Sequence, residues 1–413
     1  MRIIVGSEAP GLSKRNRGWA ERLLWLLQPD DVLVVGSPLE EEPLEYTARA
    51  RGLCADSLSR QVIVRPQVGN PRLGDAAELV DALLRLKDDS EEQPVLDVTW
   101  PNRFFEGVKE LFRLRTLLDV GKTTWNIDWN ENKAWFRDVC EPAGVPMAVG
   151  GAVRRSQVPR LISEQISTLY PGVMLKSPRG RGGRGNLAVL SDSLTEDIFV
   201  GSSRKLLRSD PNYAAKLRTW LANAPESLVW EQVIPGAAPV SFEIEAGPCR
   251  VTVSKGVWLV GSGRMGGADF DTLRDPTGLR RARSTALTVA QLLMQKGFRG
   301  RGCIDVLLPN DGPAFACEFN GRYSGQTHIV HSSLSSLAGV WLDRTWPLDA
   351  STCSFDGFLA AARKIMDLTQ ATGREVKILP TSGINELGGL RYIIAGDTQA
   401  ICTEADNALR LEL

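Results

Sequence analysis

Short apolar runs of strand length alternate with longer segments whose apolar residues recur at helical spacing over the first 120 residues. Strands that alternate with helices in this way are typical of an α/β unit built around a parallel sheet. The pattern predicts an N-terminal α/β domain over residues 1–124. The predicted strands are Ile3–Val5, Val32–Val35, Val62–Val64 and Val95–Val98, and the predicted helical segments include Trp19–Leu27 and Ala76–Leu86.

The pattern changes after Trp125. Helical and β-like segments now follow one another without regular alternation, which predicts mixed α+β lobes at 125–235 and 236–350 and a small C-terminal lobe at 351–413. The predicted strands are Val173–Ser177, Leu187–Leu190, Leu228–Ile234, Val240–Ile244, Arg250–Val260 and a C-terminal pair, and the predicted helices are Asn132–Cys140, Val158–Thr168, Leu279–Lys296, Gly357–Leu368 and Thr403–Leu411. The predicted fold class is therefore α/β followed by α+β.

A β-hairpin is predicted between Arg301 and Arg322. Two apolar runs, Cys303–Leu308 and Ala314–Phe319, flank the turn residues Pro309–Gly312. Apolar runs of this length on either side of a Pro, Asn, Asp and Gly cluster are typical of paired antiparallel strands. The hairpin matters because charged residues interrupt both of its apolar runs.

The charged residues of this hairpin are predicted to converge. Side chains alternate along a strand, so Glu318, Asn320 and Arg322 should share one face. A loop of two or four residues pairs Asp305 with Ala316 and brings Asp305 to that face, whereas a three-residue loop breaks the alignment. Two carboxylates and an amide suit Mg²⁺, which binds through one or two carboxylates and keeps several waters. The alternative is a solvated hairpin with alternating polar residues.

Glycine-rich stretches supply one phosphate-binding candidate among several mismatches. Gly180–Gly185 and Gly261–Gly266 have dinucleotide-fingerprint spacing, but neither opens a helix, which the fingerprint requires. Gly121–Thr123 ends like a P-loop, but Thr116 stands where that loop needs a glycine. The candidate is the strand, glycine loop and strand over residues 173–190.

This β-loop-β unit combines features that bind anions. Its glycines allow backbone N–H groups to turn towards an anion, and Arg179, Arg181 and Arg184 add positive charge. Lys176, on the strand before the loop, is placed to reach a phosphate. The alternatives are a flexible surface turn and an RNA-binding segment of the arginine-glycine type.

The charge balance excludes a general attraction to polyanions. Lysine plus arginine and aspartate plus glutamate number 49 each in 413 residues, so anion binding must be local. The seven cysteines include no C-x-x-C pair, which argues against a disulfide framework and a structural zinc site. Apolar runs are shorter than a membrane span, and the N-terminus reads as a strand rather than a secretory signal. We expect a cytoplasmic protein that binds neither nucleic acid nor membrane.

The order of these elements resembles the ATP-grasp superfamily over about residues 125–345. The resemblance rests on a lysine-bearing strand before a glycine loop, an acidic residue in a later β segment, and the hairpin pattern Asp…Glu-x-Asn-x-Arg. It implies a two-lobed ATP-grasp fold that follows an N-terminal α/β domain and binds ATP and Mg²⁺.

Residue roles follow from this resemblance. For ATP it implies two phosphate-binding lysines, a glycine flap, a hinge that recognises adenine, and a contact near the ribose. The implied ATP ligands are Lys133, Lys176, Gly182, Gly183, Arg184, Gly185, Glu231, Val233 and Glu243. For Mg²⁺ it implies the carboxylates of Asp305 and Glu318 and the amide of Asn320.

The resemblance also implies a reaction. A substrate carboxylate attacks the γ-phosphate of ATP and becomes an acyl phosphate, which an amine then displaces. Arg322 is implied at the reacting carboxylate, and Arg264 joins it in stabilising the oxyanion of the tetrahedral intermediate. The chain is expected to be an ADP-forming carbon-nitrogen ligase whose substrates are a small carboxylate and an amine, such as amino acids or peptides.

A shorter resemblance narrows this expectation. Glu21–Leu27 and Val34–Pro38 are similar to the carboxylate-amine ligases related to the pheganomycin peptide ligase, which implies peptide bond formation in specialised metabolism. Two alternatives stay open: an ATP-grasp phosphotransferase or carboxylase, and an RNA-binding protein that uses the Arg-Gly loop. The sequence leaves open the substrates, the roles of His328 and His331, and the oligomeric state, for which a homodimer is one alternative because dimers are common among relatives.

Overall fold

The computed structural model describes residues 2–6, 17–69, 76–85, 95–99, 103–116, 129, 132–166, 171–179, 185–192, 204–247, 249–254, 256–260, 263–267, 276–332, 334, 339–346, 354–382 and 390–413. The chain divides into two compact units. The first combines residues 1–123, 262–274 and 322–413, and the second combines residues 124–261 and 275–321. Each unit is therefore built from separated stretches of sequence.

A parallel sheet begins the first unit. The elements in chain order are β1 (Arg2–Val5), α1 (Arg17–Leu23), β2 (Val32–Val35), α2 (Glu41–Ala50), α3 (Ala55–Arg60), β3 (Val62–Val64), α4 (Pro66–Gly69), α5 (Ala76–Leu84), β4 (Val95–Val98) and α6 (Arg103–Thr116). All strand pairs are parallel, in the order β3-β2-β1-β4. The predicted α/β unit and its four strands are confirmed, and α2, α3, α4 and α6 are additional helices.

The second unit contains a five-stranded sheet. Its elements are α7 (Lys133–Cys140), β5 (Gly150–Arg154), α8 (Val158–Ile166), β6 (Gly172–Lys176), β7 (Leu187–Leu190), β8 (Arg204–Leu207), α9 (Tyr213–Asn223) and β9 (Ser227–Gln232). The strand order is β5-β9-β6-β7-β8, and only the β7–β8 pair among these strands is parallel. Apolar residues of α8 and α9 pack with Val173, Leu175 and Leu228 on one face. Because side chains alternate along a strand, Lys176 and Glu231 lie on the other face.

A second sheet of this unit carries the predicted hairpin. Its elements are β10 (Ala238–Ala246), β11 (Val251–Val253), β12 (Val257–Val260), α10 (Pro276–Gln295), β14 (Gly300–Leu308) and β15 (Phe315–Asn320), while β13 (Gly263–Gly267) belongs to the first unit. Strand β10 lies between β14 and the short strands β11 and β12. The predicted single strand Arg250–Val260 is thus two strands. Between them, Gly256 lies so close to Leu279 and Val240 that a Cβ atom there would meet their side chains at 2.6 and 3.0 Å.

Helix α10 covers the apolar face of this sheet. It packs against β10, β11, β14 and β15. Its buried residues recur at the three- and four-residue spacing of one helix face, namely Ala282, Ala286, Val289, Ala290 and Leu293. Strand residues of the same face, such as Phe242, Ile304 and Phe319, are also buried. The opposite face of the sheet is therefore the one that holds its polar side chains.

The hairpin is confirmed, but its register differs from the prediction. Asp305 pairs with Glu318, and Val306 pairs with Ala316, so Cys317 is an extra residue in β15. This β-bulge changes which residues stand opposite each other, because two residues of β15 now face one residue of β14. The predicted pairing of Asp305 with Ala316 is wrong. The carboxylates nevertheless share one face, since the bulge sets them directly opposite each other.

The C-terminal part of the first unit forms an antiparallel sheet. Its elements are α11 (Thr327–Val330), β16 (Val340–Trp346), α12 (Phe355–Ala371), β17 (Val376–Pro380), β18 (Leu390–Gly396) and α13 (Gln399–Glu412). The order β13-β16-β18-β17 adds strands β13 and β16 to the predicted pair. Helices α12 and α13 pack on these strands. None of the helices in the described ranges combines the length and apolarity needed to cross a membrane.

Candidate active site

Six polar side chains line the face of β10, β14 and β15 opposite α10. They form two rows of directly opposed residues, Ser241–Asp305–Glu318 and Glu243–Cys303–Asn320. Directly opposed residues of antiparallel strands point to the same face and stand within contact distance. The structure thus brings together Asp305, Glu318 and Asn320, and it adds Ser241 and Glu243 from the neighbouring strand.

Hydrogen bonds and an ion pair hold the two opposed carboxylates. The Ser241 hydroxyl donates to Asp305, and Asn320 Nδ2 lies 3.5 Å from Asp305 Oδ2. The Lys133 ammonium lies 3.0 Å from Glu318 Oε1. Burial raises the pKa of Glu318, Lys133 opposes this, and the nearby Asp305 carboxylate raises it further. The pair is therefore a concentrated negative charge with a cation already beside it.

The donor set fits a hard divalent cation. Carboxylate and amide oxygens are the ligands that Mg²⁺ prefers, and one or two carboxylates suffice because the ion keeps waters and phosphate ligands. Among the described residues no group of three His, Cys, Asp and Glu side chains is arranged to hold a metal. The nearby Cys303 Sγ lies 3.5 Å from Asp305 Oδ1, but burial raises the pKa of this thiol well above its usual value. Asp305, Glu318 and Asn320 would thus hold Mg²⁺ rather than a thiolate-seeking metal.

Lys133 stands at the first position of helix α7. The Asn132 side chain accepts a hydrogen bond from Trp135 N at 3.2 Å and so caps the helix. The backbone N–H of Lys133 donates to the carbonyl of Pro178 at 2.9 Å. This bond joins the helix that carries one predicted phosphate lysine to the start of the predicted glycine flap.

The second predicted lysine meets the predicted adenine residue. Lys176 forms an ion pair with Glu231 across β6 and β9, and Arg137 Nη2 lies 3.7 Å from the other Glu231 oxygen. Burial disfavours the charged form of Lys176, but its interactions with Glu231 outweigh this and raise its pKa. Arg137 was not predicted. Its signal was its spacing, because Arg137 falls on the same helical stripe as the buried Phe136 and Cys140.

Hydrogen bonds and burial restrict two of the residues that the resemblance implies for nucleotide binding, Val233 and Glu243. The backbone N–H of Val233 donates to Gly172 O at 2.9 Å, so it is not available as a donor to an adenine ring. Glu243 is fully buried beside Cys303 on the face that carries Asp305, and its backbone N–H donates to Ser254 Oγ at 3.0 Å. The contact of Glu243 near a ribose stays a prediction.

The predicted flap is described only at its ends. Gly182, Gly183 and Arg184 lie outside the described residues. Gly185 has a positive φ of 79°, a conformation that glycine adopts readily. The next residue, Asn186, is buried, and its carbonyl accepts a hydrogen bond from Arg204 N at 3.1 Å. Gly185 thus allows the chain to turn into β7.

The two predicted catalytic arginines belong to the first unit. Strand β15 ends at Asn320, so strand alternation does not extend to Arg322, and its predicted place on the face of Glu318 and Asn320 is not supported. Arg322 Nη1 donates to the carbonyl of Tyr323 at 2.9 Å. Arg264 pairs in register with Asp343 in β16, while its side chain lies outside the described part of the structure.

The segment after Arg322 is anchored in the first unit. The Tyr323 hydroxyl donates to Asp97, and Tyr323 N donates to Thr99 O at 3.2 Å. Tyr323 is itself buried in the apolar cluster of the N-terminal sheet. His328 is buried in the short helix that follows, which agrees with a packed position as well as with a chemical role.

Thiol reactivity tests the packing of the hairpin strands β14 and β15 around Cys303 and Cys317. Cys54 and Cys249 are exposed, whereas burial raises the pKa of Cys317 to about 12 despite the opposing charge of Lys176. At pH 8 the Cys317 thiol is then almost entirely protonated and reacts slowly. We expect iodoacetamide at pH 8 to label Cys54 and Cys249 and to spare Cys317 and Cys303, as measured by peptide mass spectrometry. Protein unfolded in guanidinium should label at all four, and equal labelling of the folded protein would contradict the described packing.

The comparisons with known proteins agree with this architecture. The family model of the pre-ATP-grasp domain matches residues 20–102. None of the curated proteins matches the chain. The matched residues include strands β2, β3 and β4 of the N-terminal parallel sheet.

Solved structures resemble nearly the whole chain at low sequence identity. An N5-carboxyaminoimidazole ribonucleotide synthetase in complex with ADP has a TM-score of 0.58 and 13% identity, with 99% of this chain and 96% of that chain covered. The N5-carboxyaminoimidazole synthetase of Staphylococcus aureus has a TM-score of 0.57 and 11% identity, with coverages of 100% and 96%. The biotin carboxylase of Campylobacter jejuni has a TM-score of 0.54 and 13% identity, with coverages of 96% and 86%. The chain thus has the fold of ATP-grasp enzymes, and the expected fold class is confirmed.

Proposed function

We propose that the protein is an ATP-dependent, ADP-forming ligase that joins a carboxylate to an amine through an acyl phosphate. The observation that carries the proposal is the pair of opposed carboxylates, Asp305 and Glu318, with the Lys133 ammonium 3.0 Å from Glu318. Acids that face each other on an otherwise well packed sheet are unfavourable unless a cation compensates for them. Lys133 balances one of the two carboxylates, and a magnesium nucleotide provides a cation for the other and also brings phosphates for the lysines.

The nucleotide end of the site lies along β6 and β9. Lys176 and Lys133 bind phosphate oxygens, and the ion-paired Glu231 accepts from the amino group of adenine. Because the N–H of Val233 is engaged by Gly172, we assign the ring contact to the N–H of the next residue, Ile234, which has no acceptor among the described residues. ADP bound to the synthetase of similar fold supports a nucleotide here.

Each residue of the proposed site has its own role in phosphoryl transfer. Bound Mg²⁺ supplies charge neutralisation at the phosphates, and Asp305, Glu318 and Asn320 are its ligands. Lys133 and Lys176 orient the phosphate chain, since positioning and charge stabilisation are most of what this reaction needs from a protein. Roles for Arg322 at the reacting carboxylate and for Arg264 at the oxyanion rest on the sequence resemblance alone. The glycine loop at 180–185 excludes water that would hydrolyse the acyl phosphate.

Within this class we propose amino acids or peptides as substrates, on the strength of the similarity of Glu21–Leu27 to peptide ligases. The second candidate is a carboxylase. It is favoured by the carboxyaminoimidazole synthetases and biotin carboxylases of similar fold, one of which was solved with bicarbonate. The balanced charge of the chain argues against the RNA-binding alternative.

A release assay distinguishes these candidates. Purified protein is incubated with Mg·ATP and pairs of amino acids, ADP is measured, and products are identified by mass spectrometry. We expect ADP only with a competent carboxylate, and a hydroxamate when hydroxylamine replaces the amine. ADP release that requires bicarbonate instead of an organic carboxylate would establish the carboxylase, and AMP with pyrophosphate would contradict both.

A further inference from the structure

We propose that Arg137 is a positioning residue that sets nucleobase selectivity. It holds the Glu231 carboxylate as a hydrogen-bond acceptor for the exocyclic amino group of adenine. The inference rests on the proposed function, because it assumes that a nucleotide binds beside β9. It goes further in naming a residue that touches no part of the substrate and yet decides which base is accepted.

The geometry of Arg137 places its guanidinium behind Glu231. Its side chain is only 4% exposed, and that of Glu231 only 6%. Nη2 donates to the carbonyl of Ala148 at 2.5 Å and lies 3.7 Å from Glu231 Oε1, while Nη1 pairs with Glu141. The Ala148 carbonyl and the Glu141 carboxylate therefore fix the guanidinium, which in turn fixes one oxygen of Glu231.

The neighbouring strand is built to admit this guanidinium. Gly150 of β5 pairs with Glu231 of β9. A Cβ atom at Gly150 would lie 2.9 Å from Arg137 Nη2 and 3.0 Å from the Cα atom of Glu231. Any side chain at this position would displace the guanidinium from the strand, so the glycine leaves the space that Arg137 fills.

Structural stability alone does not account for Arg137. Its Nε is buried and has no hydrogen-bond acceptor in the described ranges of the chain. A buried cation with an unsatisfied donor is less favourable than a well packed apolar residue of similar volume. Packing therefore does not explain the charge of Arg137, and the buried carboxylate that it faces is Glu231, because Glu141 is 48% exposed.

The chemistry of the base follows from the charges on Glu231. A carboxylate that is paired with Lys176 and Arg137 accepts hydrogen bonds and donates none. Adenine offers an N–H donor at position 6, whereas hypoxanthine offers a keto oxygen that the carboxylate repels. Lys176 also serves the phosphates, whereas Arg137, which Glu141 and Ala148 hold in place, has no proposed role at the phosphates. Without it, the carboxylate can turn fully towards Lys176 and away from the base.

Calorimetry with Mg·ADP and Mg·IDP tests this without knowledge of the other substrates. The full-length protein is compared with R137M, which removes the charge, and R137K, which keeps it. R155M is the matched control, because Arg155 also bonds a backbone carbonyl and a glutamate, those of Ala224 and Glu226, in the same unit. We expect wild type and R155M to prefer ADP by about tenfold or more, because a site that accepts a hydrogen bond from the base binds a base without that N–H donor more weakly. R137M should lower this preference to about threefold or less, and R137K should retain most of it.

A double-mutant cycle ties the effect to Glu231. In the E231Q background, R137M should leave the ADP to IDP ratio unchanged, since the carboxylate that it positions is gone. An R137M protein with the wild-type ratio would overturn the inference, even if both affinities fell together. Wild type that binds no ADP would instead remove the proposed function. Circular dichroism checks that R137M is folded. If R137M is unfolded, R137Q is measured in its place, and a lowered ADP to IDP ratio supports the inference whereas the wild-type ratio overturns it.

Discussion

Replacing Glu318 by glutamine is expected to abolish turnover while the protein stays folded. The substitution preserves the size of the side chain but removes one of two opposed carboxylates and the charge that faces Lys133 at 3.0 Å. Loss of a metal carboxylate removes charge stabilisation at the transferring phosphate, for which we expect a fall in kcat of about 10³-fold or more. ADP release at saturating ATP over a range of Mg²⁺ concentrations measures this effect.

The matched control is Glu245→Gln. Glu245 lies on the same sheet face, and its carboxylate also faces a cation, with Arg301 Nε at 3.7 Å, but it stands beyond the two rows of the site. Exposed ion pairs of this kind contribute little to the free energy of unfolding, so the control variant should keep its activity and melting temperature. A Glu318→Gln enzyme with more than about a tenth of wild-type turnover would remove the metal assignment.

Gly150→Ala is expected to destabilise the five-stranded sheet more than an alanine at any other described glycine of that sheet. A Cβ atom at Gly150 would lie 2.2 Å from the carbonyl oxygen of Trp230, a backbone atom that cannot rotate away. Strands β5 and β9 must then separate, which breaks ladder hydrogen bonds and moves Arg137 from Glu231. Overpacking of this kind is expected to destabilise by about 2–4 kcal/mol. Thermal melting followed by circular dichroism and calorimetry with Mg·ADP measure both consequences.

The next residue supplies the control for this prediction. A Cβ atom at Gly151 would find its nearest neighbour, Trp230 Nε1, at 3.7 Å, which is ordinary contact. Gly151→Ala should therefore melt within a few degrees of wild type and keep its affinity for ADP. Equal melting temperatures for the two alanine variants would contradict the close approach of β5 to β9.

Local pattern was enough for much of the fold. Four strands have the predicted bounds, because each is a short, mostly apolar run, namely Val32–Val35, Val62–Val64, Val95–Val98 and Leu187–Leu190. Helix α7 begins at Lys133, one residue after its predicted start at Asn132, which caps the helix. The relation of Asp305 to Glu318 was also accessible, since alternation along two paired strands limits which side chains can share a face.

What escaped prediction depends on contacts distant in sequence. The bulge at Cys317 has no local signal, because register is chosen by how β15 packs on β14 and against the α7–β5 connection, where Ala316 N donates to Pro146 O at 2.9 Å. Arg137 escaped because an arginine in a helix is usually solvated, and only the strand it faces reveals its role. The hydrogen bond of the Val233 N–H is likewise made to a residue distant in sequence, Gly172, sixty-one positions earlier.

The bulge at Cys317 also constrains how this sequence can change over time. The turn at 309–314 lies outside the paired segment, so residues gained or lost there leave Asp305 opposite Glu318. Loss of one residue between Phe315 and Glu318 would instead remove the bulge and restore regular alternation. Relatives that keep the chemistry should therefore vary in length at the turn, whereas insertions and deletions should be absent from the three residues 315–317 that precede Glu318.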